Sequence, residues 1–331
     1  MKETEEKIMP VGGQAVIEGV MMRSPKRLAT AIRRLNGDIE VRTDDYISLV
    51  NRKKYLNIPV IRGAITLIEV MILGIKTLQW SADKAMEDLQ RQEQKVKDNK
   101  KQGMSTMTAV FTVSVALLVG IVIFFVSPLY LTTRIFNIEN QAFLFNLTAG
   151  TIRISIFLLY VWGISFLKDV KRLFEYHGAE HKTIFAFEHK LYLTPLNTRQ
   201  FTTFHPRCGT SFLMIVMLIS VLFFAFLDYG IISFYGRISF PIRLLTHLPF
   251  IPLIGGISYE ALKASAKYSN SWLVKLLILP GLALQRITTS TPDDSQLEVA
   301  IQALKSALGE EYKNELVTEF TAAATRPVTG Q

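Results

Sequence analysis

The chain has 331 residues, 49% of them hydrophobic, with 37 Lys and Arg against 28 Asp and Glu, for a net charge of +9. A charge of this sign suggests nucleic acid, but long apolar runs turn the reading toward a membrane and away from a nucleic-acid partner. The single cysteine excludes an internal disulfide and fits a reduced compartment.

The N-terminus, Met1-Lys2-Glu3-Thr4-Glu5-Glu6-Lys7, is polar and predicts no cleavable signal peptide. Residues 1–57 read as a small β unit. Residues 15–22 predict one strand, preceded by a tight turn at Gly12-Gly13. Residues 28–34 and 39–43 flank Asn36-Gly37, a hairpin signal. Residues 58–107 read as amphipathic and then charged helix. Arg62, Glu69 and Lys76 recur every seventh residue between 58 and 80, forming a polar stripe on a helix that lies in the interface or packs on a bundle. Residues 81–102 alternate in charge and predict a solvated helix.

Residues 108–287 read as a membrane bundle. Runs 108–131, 143–167 and 211–235 are each long enough for a hydrocarbon core that needs about 20 helical residues. Run 240–262 carries Pro241, Pro249, Pro252 and Gly255-Gly256, so it crosses as a kinked helix. Run 272–284 contains Pro280-Gly281 and is too short to cross; it predicts an interfacial or re-entrant segment. The fold class is therefore mainly α: about four spans, a small β unit and cytoplasmic helices.

Between the second and third spans lies the chemistry. His177-Gly178-Ala179-Glu180-His181 places two imidazoles at i and i+4 on one helix face, with Glu180 at i+3. Such a pair can grip one divalent metal, and a carboxylate beside it can take a proton from an attacking water. Val170, Phe174, Ile184 and Glu188 share the 3-4 spacing of the histidines, so 168–190 predicts a helix continuing the second span. Pro195 and Asn197 mark a turn. His205-Pro206-Arg207-Cys208 supplies two more candidate ligands. Cys208 precedes a span capped by Thr210 or Ser211, where the helix dipole favours the thiolate that binds metal. Glu175 or Glu188 is a candidate to orient an imidazole. Arg207 is placed to meet an anionic substrate or headgroup, although most basic residues at this depth are plain interfacial anchors.

Arg153 and Asp228 lie at equal depth within spans two and three and predict an intramembrane ion pair. His247 falls in the outer half, outside the metal site. Residues 288–294 form a loop before a capped amphipathic helix with Leu297, Ala300, Ile301, Leu304 and Leu308 on its apolar face; a loose tail follows from about Phe320.

Lys and Arg number 19 in residues 1–107, one in 132–142, seven in 168–210, one or two near 237, and seven from 259 onward. By the positive-inside rule this alternation predicts four crossings of the cytoplasmic membrane, with both termini and the metal-site loop 168–210 in the cytoplasm.

Three runs carry a resemblance: Gly12-Gly13-Gln14-Ala15-Val16-Ile17-Glu18-Gly19-Val20-Met21-Met22-Arg23-Ser24-Pro25, the 175–182 stretch, and His205-Pro206-Arg207-Cys208-Gly209-Thr210. Over about residues 10–310 the chain resembles the YqhQ-like family of uncharacterised bacterial membrane proteins, described as predicted metal-dependent enzymes. The resemblance implies a multi-span protein with its histidine motif intact.

Two readings of function follow. In the first, a membrane hydrolase, His177 and His181 hold one divalent ion, zinc, with His205 or Cys208 as third ligand and Glu180 as general base. Its substrate is a membrane-tethered peptide or a lipid headgroup. In the second, a membrane scaffold, all four ligands close a structural site, and the basic face binds membrane lipids or a protein or peptide partner. A third, a small transporter, rests on Arg153, Asp228 and the broken fourth run. The sequence leaves the oligomeric state open.

Overall fold

The computed structural model describes residues 9–94, 106–268 and 271–309. The N-terminal strands are β1 (Gly12–Val16), β2 (Gly19–Arg23), β3 (Arg27–Arg33) and β4 (Ile39–Asp45). They form one antiparallel sheet in the order β1-β2-β3-β4. The single strand expected over 15–22 is thus two strands. Val16 pairs with Gly19, and Ile17-Glu18 makes the turn between them, with Glu18 in the left-handed region at φ 55. Neither Ile17 nor Glu18 is a residue type that favours turns, so no turn chemistry marks it. Gly12-Gly13, expected as a turn, lies in β1 opposite Arg23 and Met22. The Asn36-Gly37 hairpin forms as expected, joining β3 to β4.

Each face of the sheet is covered, as period-two alternation requires. After the short helix α1 (Leu49–Arg52), a 3-10 turn at Lys54–Leu56 leads to α2 (Ile61–Gln94). Leu73 and Trp80 of α2 pack on Val16, Met21, Leu28 and Ile32. The opposite face, Val20, Met22, Ala29 and Ala31, packs on two later helices through Tyr176, Ala179, Leu297 and Leu304. The charged segment expected over 81–102 continues α2 as far as Gln94; the rest lies outside the described residues, as does the tail beyond 309.

The bundle begins with α3 (Thr106–Ile121), a π turn at Val122–Val126 and α4 (Ser127–Phe136), then α5 (Ala142–Ile164). The chain continues through α6 (Lys168–Glu188), α7 (Pro195–Arg199) and α8 (Gly209–Tyr235) to α9 (Phe240–His247), a 3-10 turn at Leu248–Phe250 and α10 (Ile251–Lys267). It ends with α11 (Trp272–Thr288) and α12 (Asp294–Leu308). Among the described residues, four stretches are long and apolar enough to cross a membrane: Phe111–Phe136, Ala142–Ile164, Gly209–Tyr235 and Phe240–Ser265. They match the four expected runs, and the protein is a helical membrane protein.

Three local expectations are corrected. The second span does not run unbroken into α6, because Leu167 is extended (φ −73, ψ 132) and turns the chain. Pro195-Asn197 opens a short helix rather than a bare turn, with Thr194 accepting from the Asn197 amide. Neither Thr210 nor Ser211 caps α8; Cys208 does, its Sγ accepting from the Thr210 amide at 3.4 Å. The amphipathic helix α12 carries the expected cap, a reciprocal pair between Asp293 and Gln296. It buries Leu297, Ala300, Ile301, Leu304 and Leu308 against the sheet and α6. This contact fixes α6 in place. At its other side α11 packs beside α5 and α8, with Leu284 against Val161 and Met214. The middle of α6, the start of α8 and the end of α11 therefore meet.

Candidate metal centre

His177 and His181 stand one turn apart on α6, their ring centroids 4.4 Å apart. Backbone carbonyls orient both rings. His177 Nδ1 donates to the Thr288 carbonyl at 2.8 Å, and His181 Nδ1 donates to the Thr203 carbonyl. A carbonyl only accepts, so the proton sits on Nδ1 and the lone pair of each Nε2 is free. Both Nε2 atoms turn toward Cys208. The ligand atoms of His177, His181 and Cys208 all lie within 4.8 Å of one another. His177 Nε2 is 3.2 Å from Cys208 Sγ, close to the roughly 3.6 Å between nitrogen and sulfur ligands of a tetrahedral zinc. His181 Nε2 is buried and has no hydrogen-bond partner. An orphaned lone pair at such a position fits a metal ligand.

Gly178 makes this arrangement possible. The chain following α11 crosses α6 so closely that a Cβ at 178 would lie 2.1 Å from the Ser290 carbonyl oxygen. The Ser290 amide donates to the Phe174 carbonyl at 2.9 Å, tying the crossing down. A glycine inside a helix costs about 1 kcal/mol relative to alanine, so its presence in the histidine run is itself a sign of close approach.

His205 stands apart from the three. Gln285 clamps its peptide, accepting from His205 N at 2.8 Å and donating to His205 O at 2.9 Å. Its ring centroid lies 5.6 Å from that of His181. Its Nδ1 accepts from the Arg207 amide at 3.3 Å, and its Nε2 faces Glu188 at 3.5 Å. Burial drives its pKa down to about 4 and lowers that of His181 as well. Both rings are therefore neutral, the form that binds metal.

Glu180 is buried, 6% exposed. Burial raises its carboxyl above the usual carboxylate range, while His177, His205 and the amide of Gly13 pull it back. Gly13 belongs to β1, so the N-terminal glycine pair reaches the histidine helix. A Cβ at 13 would come within 3.0 Å of the Glu180 carboxyl carbon. Glu188 does stand beside an imidazole, that of His205, as expected for one of the two flanking glutamates. Glu175 does not; it accepts from Gln296 of α12 at 2.9 Å and serves helix packing. Arg207 is not free for an anionic substrate, because Glu188 already pairs with its guanidinium.

The expected Arg153–Asp228 pair does not form. Asp228 is fully buried and accepts from Arg243 Nε at 2.8 Å, His247 Nε2 at 2.9 Å and Asn146 Nδ2 at 2.7 Å. Arg153 instead donates to Ser220 Oγ at 3.1 Å and lies over the Phe125 ring. The chain reverses at Gly236 (φ 76), and Arg243 and His247, one turn apart on α9, come to face Asp228 of α8, a geometry that equal depth along two spans does not reveal. Beyond Arg243, His247 and Asn146, sequence reasoning missed the Thr203 and Thr288 carbonyls and Gln285. Backbone acceptors leave no residue-type signal, but Gln285 in an apolar run was a visible one.

The family described as "Protein of unknown function (DUF1385)" matches residues 58–310. A relative described as "Uncharacterized protein YqhQ", from Bacillus subtilis (strain 168), is 32% identical over 325 residues, covering 94% of this chain and 96% of the relative. No solved structure matches. With the helical membrane fold and the three sequence runs, these matches make the chain a member of the DUF1385, YqhQ-like family.

Proposed function

We propose that this protein is a membrane metalloenzyme in which His177, His181 and Cys208 hold one divalent ion, zinc by the character of its nitrogen and sulfur donors, for hydrolysis of a membrane-tethered peptide or lipid headgroup. The observation that carries this reading is the convergence of three ligand atoms, with His205 engaged elsewhere. Three protein ligands and an open position are the pattern of catalytic zinc. When bound, the ion supplies Lewis-acid polarisation. The chain supplies the rest. Glu180 receives a proton on its carboxyl, and burial raises that group toward a useful basicity. The Gly13 amide holds the carboxyl in place, and Thr203 and Thr288 hold the imidazoles. The distribution of Lys and Arg supports a cytoplasmic orientation for this site.

One observation favours the scaffold reading. His205 lies near His181, and moving its ring proton from Nε2 to Nδ1, with release of the Arg207 amide, would free Nε2 as a fourth ligand for a closed structural site. Glu180→Gln separates the two. The variant is expected to keep its metal and its melting temperature. Mass-spectrometric profiles of membrane peptides and lipids from cells overproducing wild type should contain a depleted species that Glu180→Gln leaves intact. Identical profiles with equal metal content would support the closed site instead.

A further inference from the structure

A second surface lies where α2 meets the bundle. Val60, a β-branched residue, sits in the left-handed region at φ 71, where such residues are rare. The corner it makes is fixed from the fourth span. Glu260 of α10 accepts from the Val60 amide and takes Arg62 Nε at 2.6 Å. Gly63 abuts Gly256, where a Cβ would lie 2.8 Å from the Gly256 carbonyl oxygen. The first turns of α2 are thus held against a helix that is long and apolar enough to cross a membrane.

Glu69, two turns further on, accepts from the Leu49 amide at 2.6 Å and folds the α1 segment back alongside α2. That segment displays Arg52, Lys53 and Lys54, all exposed. Among the described residues none of the three has an ionic partner. Tyr55 follows, 67% exposed. Beside them Ile61 and Ile68, seven residues apart on one face of α2, are 48% and 53% exposed. A row of unpaired cations, a tyrosine and an exposed apolar face, on a helix held against a span, match an acidic headgroup layer over acyl chains.

We propose that the Arg52-Lys53-Lys54-Tyr55 corner and the exposed face of α2 bind anionic phospholipid, with headgroups on the three cations and acyl chains along Ile61 and Ile68. This surface is independent of the histidine site and of any metal. The occupant is the leaflet itself, because the corner is anchored by Glu260 and Gly256 to a helix long and apolar enough to cross a membrane.

Native mass spectrometry of the detergent-purified full chain tests it, with phosphatidylglycerol and phosphatidylcholine titrated separately. Each exposed cation contributes on the order of fivefold in affinity for an anionic lipid. The wild type should therefore prefer phosphatidylglycerol by at least about tenfold. The triple variant R52Q/K53Q/K54Q should lose that preference. R42Q/K84Q/R91Q, which removes as many charges from β4 and the far half of α2, should keep it. If the triple variant does not fold, K53Q alone should still lose about fivefold. Equal affinity of the wild type for both lipids, or an unchanged preference in the triple variant or in K53Q, would overturn the proposal.

Discussion

Gly178→Ala is a small change with a calculable result. Alanine improves the intrinsic helix propensity of α6 by about 1 kcal/mol. Against this, its Cβ would lie 2.1 Å from the Ser290 carbonyl oxygen and 3.1 Å from Thr203 Cγ2. An ordinary carbon–oxygen contact is about 3.3 Å, so the crossing segment must retreat by roughly 1 Å. Overpacking of this kind costs about 1–3 kcal/mol, leaving a net loss of up to about 2 kcal/mol. The larger effect falls on the metal. Retreat of the 288–290 segment withdraws the Thr288 carbonyl from His177, and displacement of Thr203 loosens His181. Losing the groups that orient metal-binding imidazoles costs about 10–100-fold in metal affinity. Chelator competition on purified protein measures the affinity, and thermal melting measures the fold. A variant with wild-type metal affinity would refute the claim that these carbonyls orient the imidazoles.

Two further outcomes follow from the buried charges. Asp228→Ala leaves Arg243 and His247 buried without their carboxylate and should cost about 3–5 kcal/mol in thermal melts of the purified protein. Combining it with Arg153→Ala should give additive losses, since the two side chains are not paired; a strong coupling between them would show that the intramembrane ion pair exists after all. Between the β-sheet unit and α2, Asp88 accepts from Arg34 at 2.6 and 2.9 Å and from the Leu35 amide at 3.0 Å. Its hydrogen bonds to Arg34 hold its pKa below the usual carboxylate value. That contribution is complete above a pH of about 3.9 and fades as pH falls through the lowered value. Asp88→Asn should therefore be less stable at neutral pH and lose less on acidification; parallel acid curves for variant and wild type would contradict this.

The spans were legible because about 20 consecutive apolar residues have few alternative fates. The i, i+4 histidines were legible because α6 is a regular helix and periodicity determines which residues share its face. The cap of α12 was legible because Asp293 and Gln296 satisfy each other locally. What escaped depends on contacts between distant segments. Cys208 both caps α8 and meets His177, from a helix 31 residues earlier in the chain. Asp228 finds Arg243 and His247 because the chain reverses at Gly236 and lays α9 beside the end of α8. Glu175, chemically as good an imidazole partner as Glu188, is taken by Gln296. The β1-β2 turn escaped because Ile17 and Glu18 are ordinary residues, with Glu18 held by Arg172 in α6.

The central claim is that two imidazoles and one thiolate share an ion. X-ray absorption spectroscopy on the purified, metal-loaded protein tests it directly. The expected spectrum has nitrogen scatterers at about 2.0 Å and a single sulfur at about 2.3 Å, with the sulfur shell absent in Cys208→Ser. A metal shell without sulfur in the wild type, or protein that folds and binds no metal, would contradict the assignment.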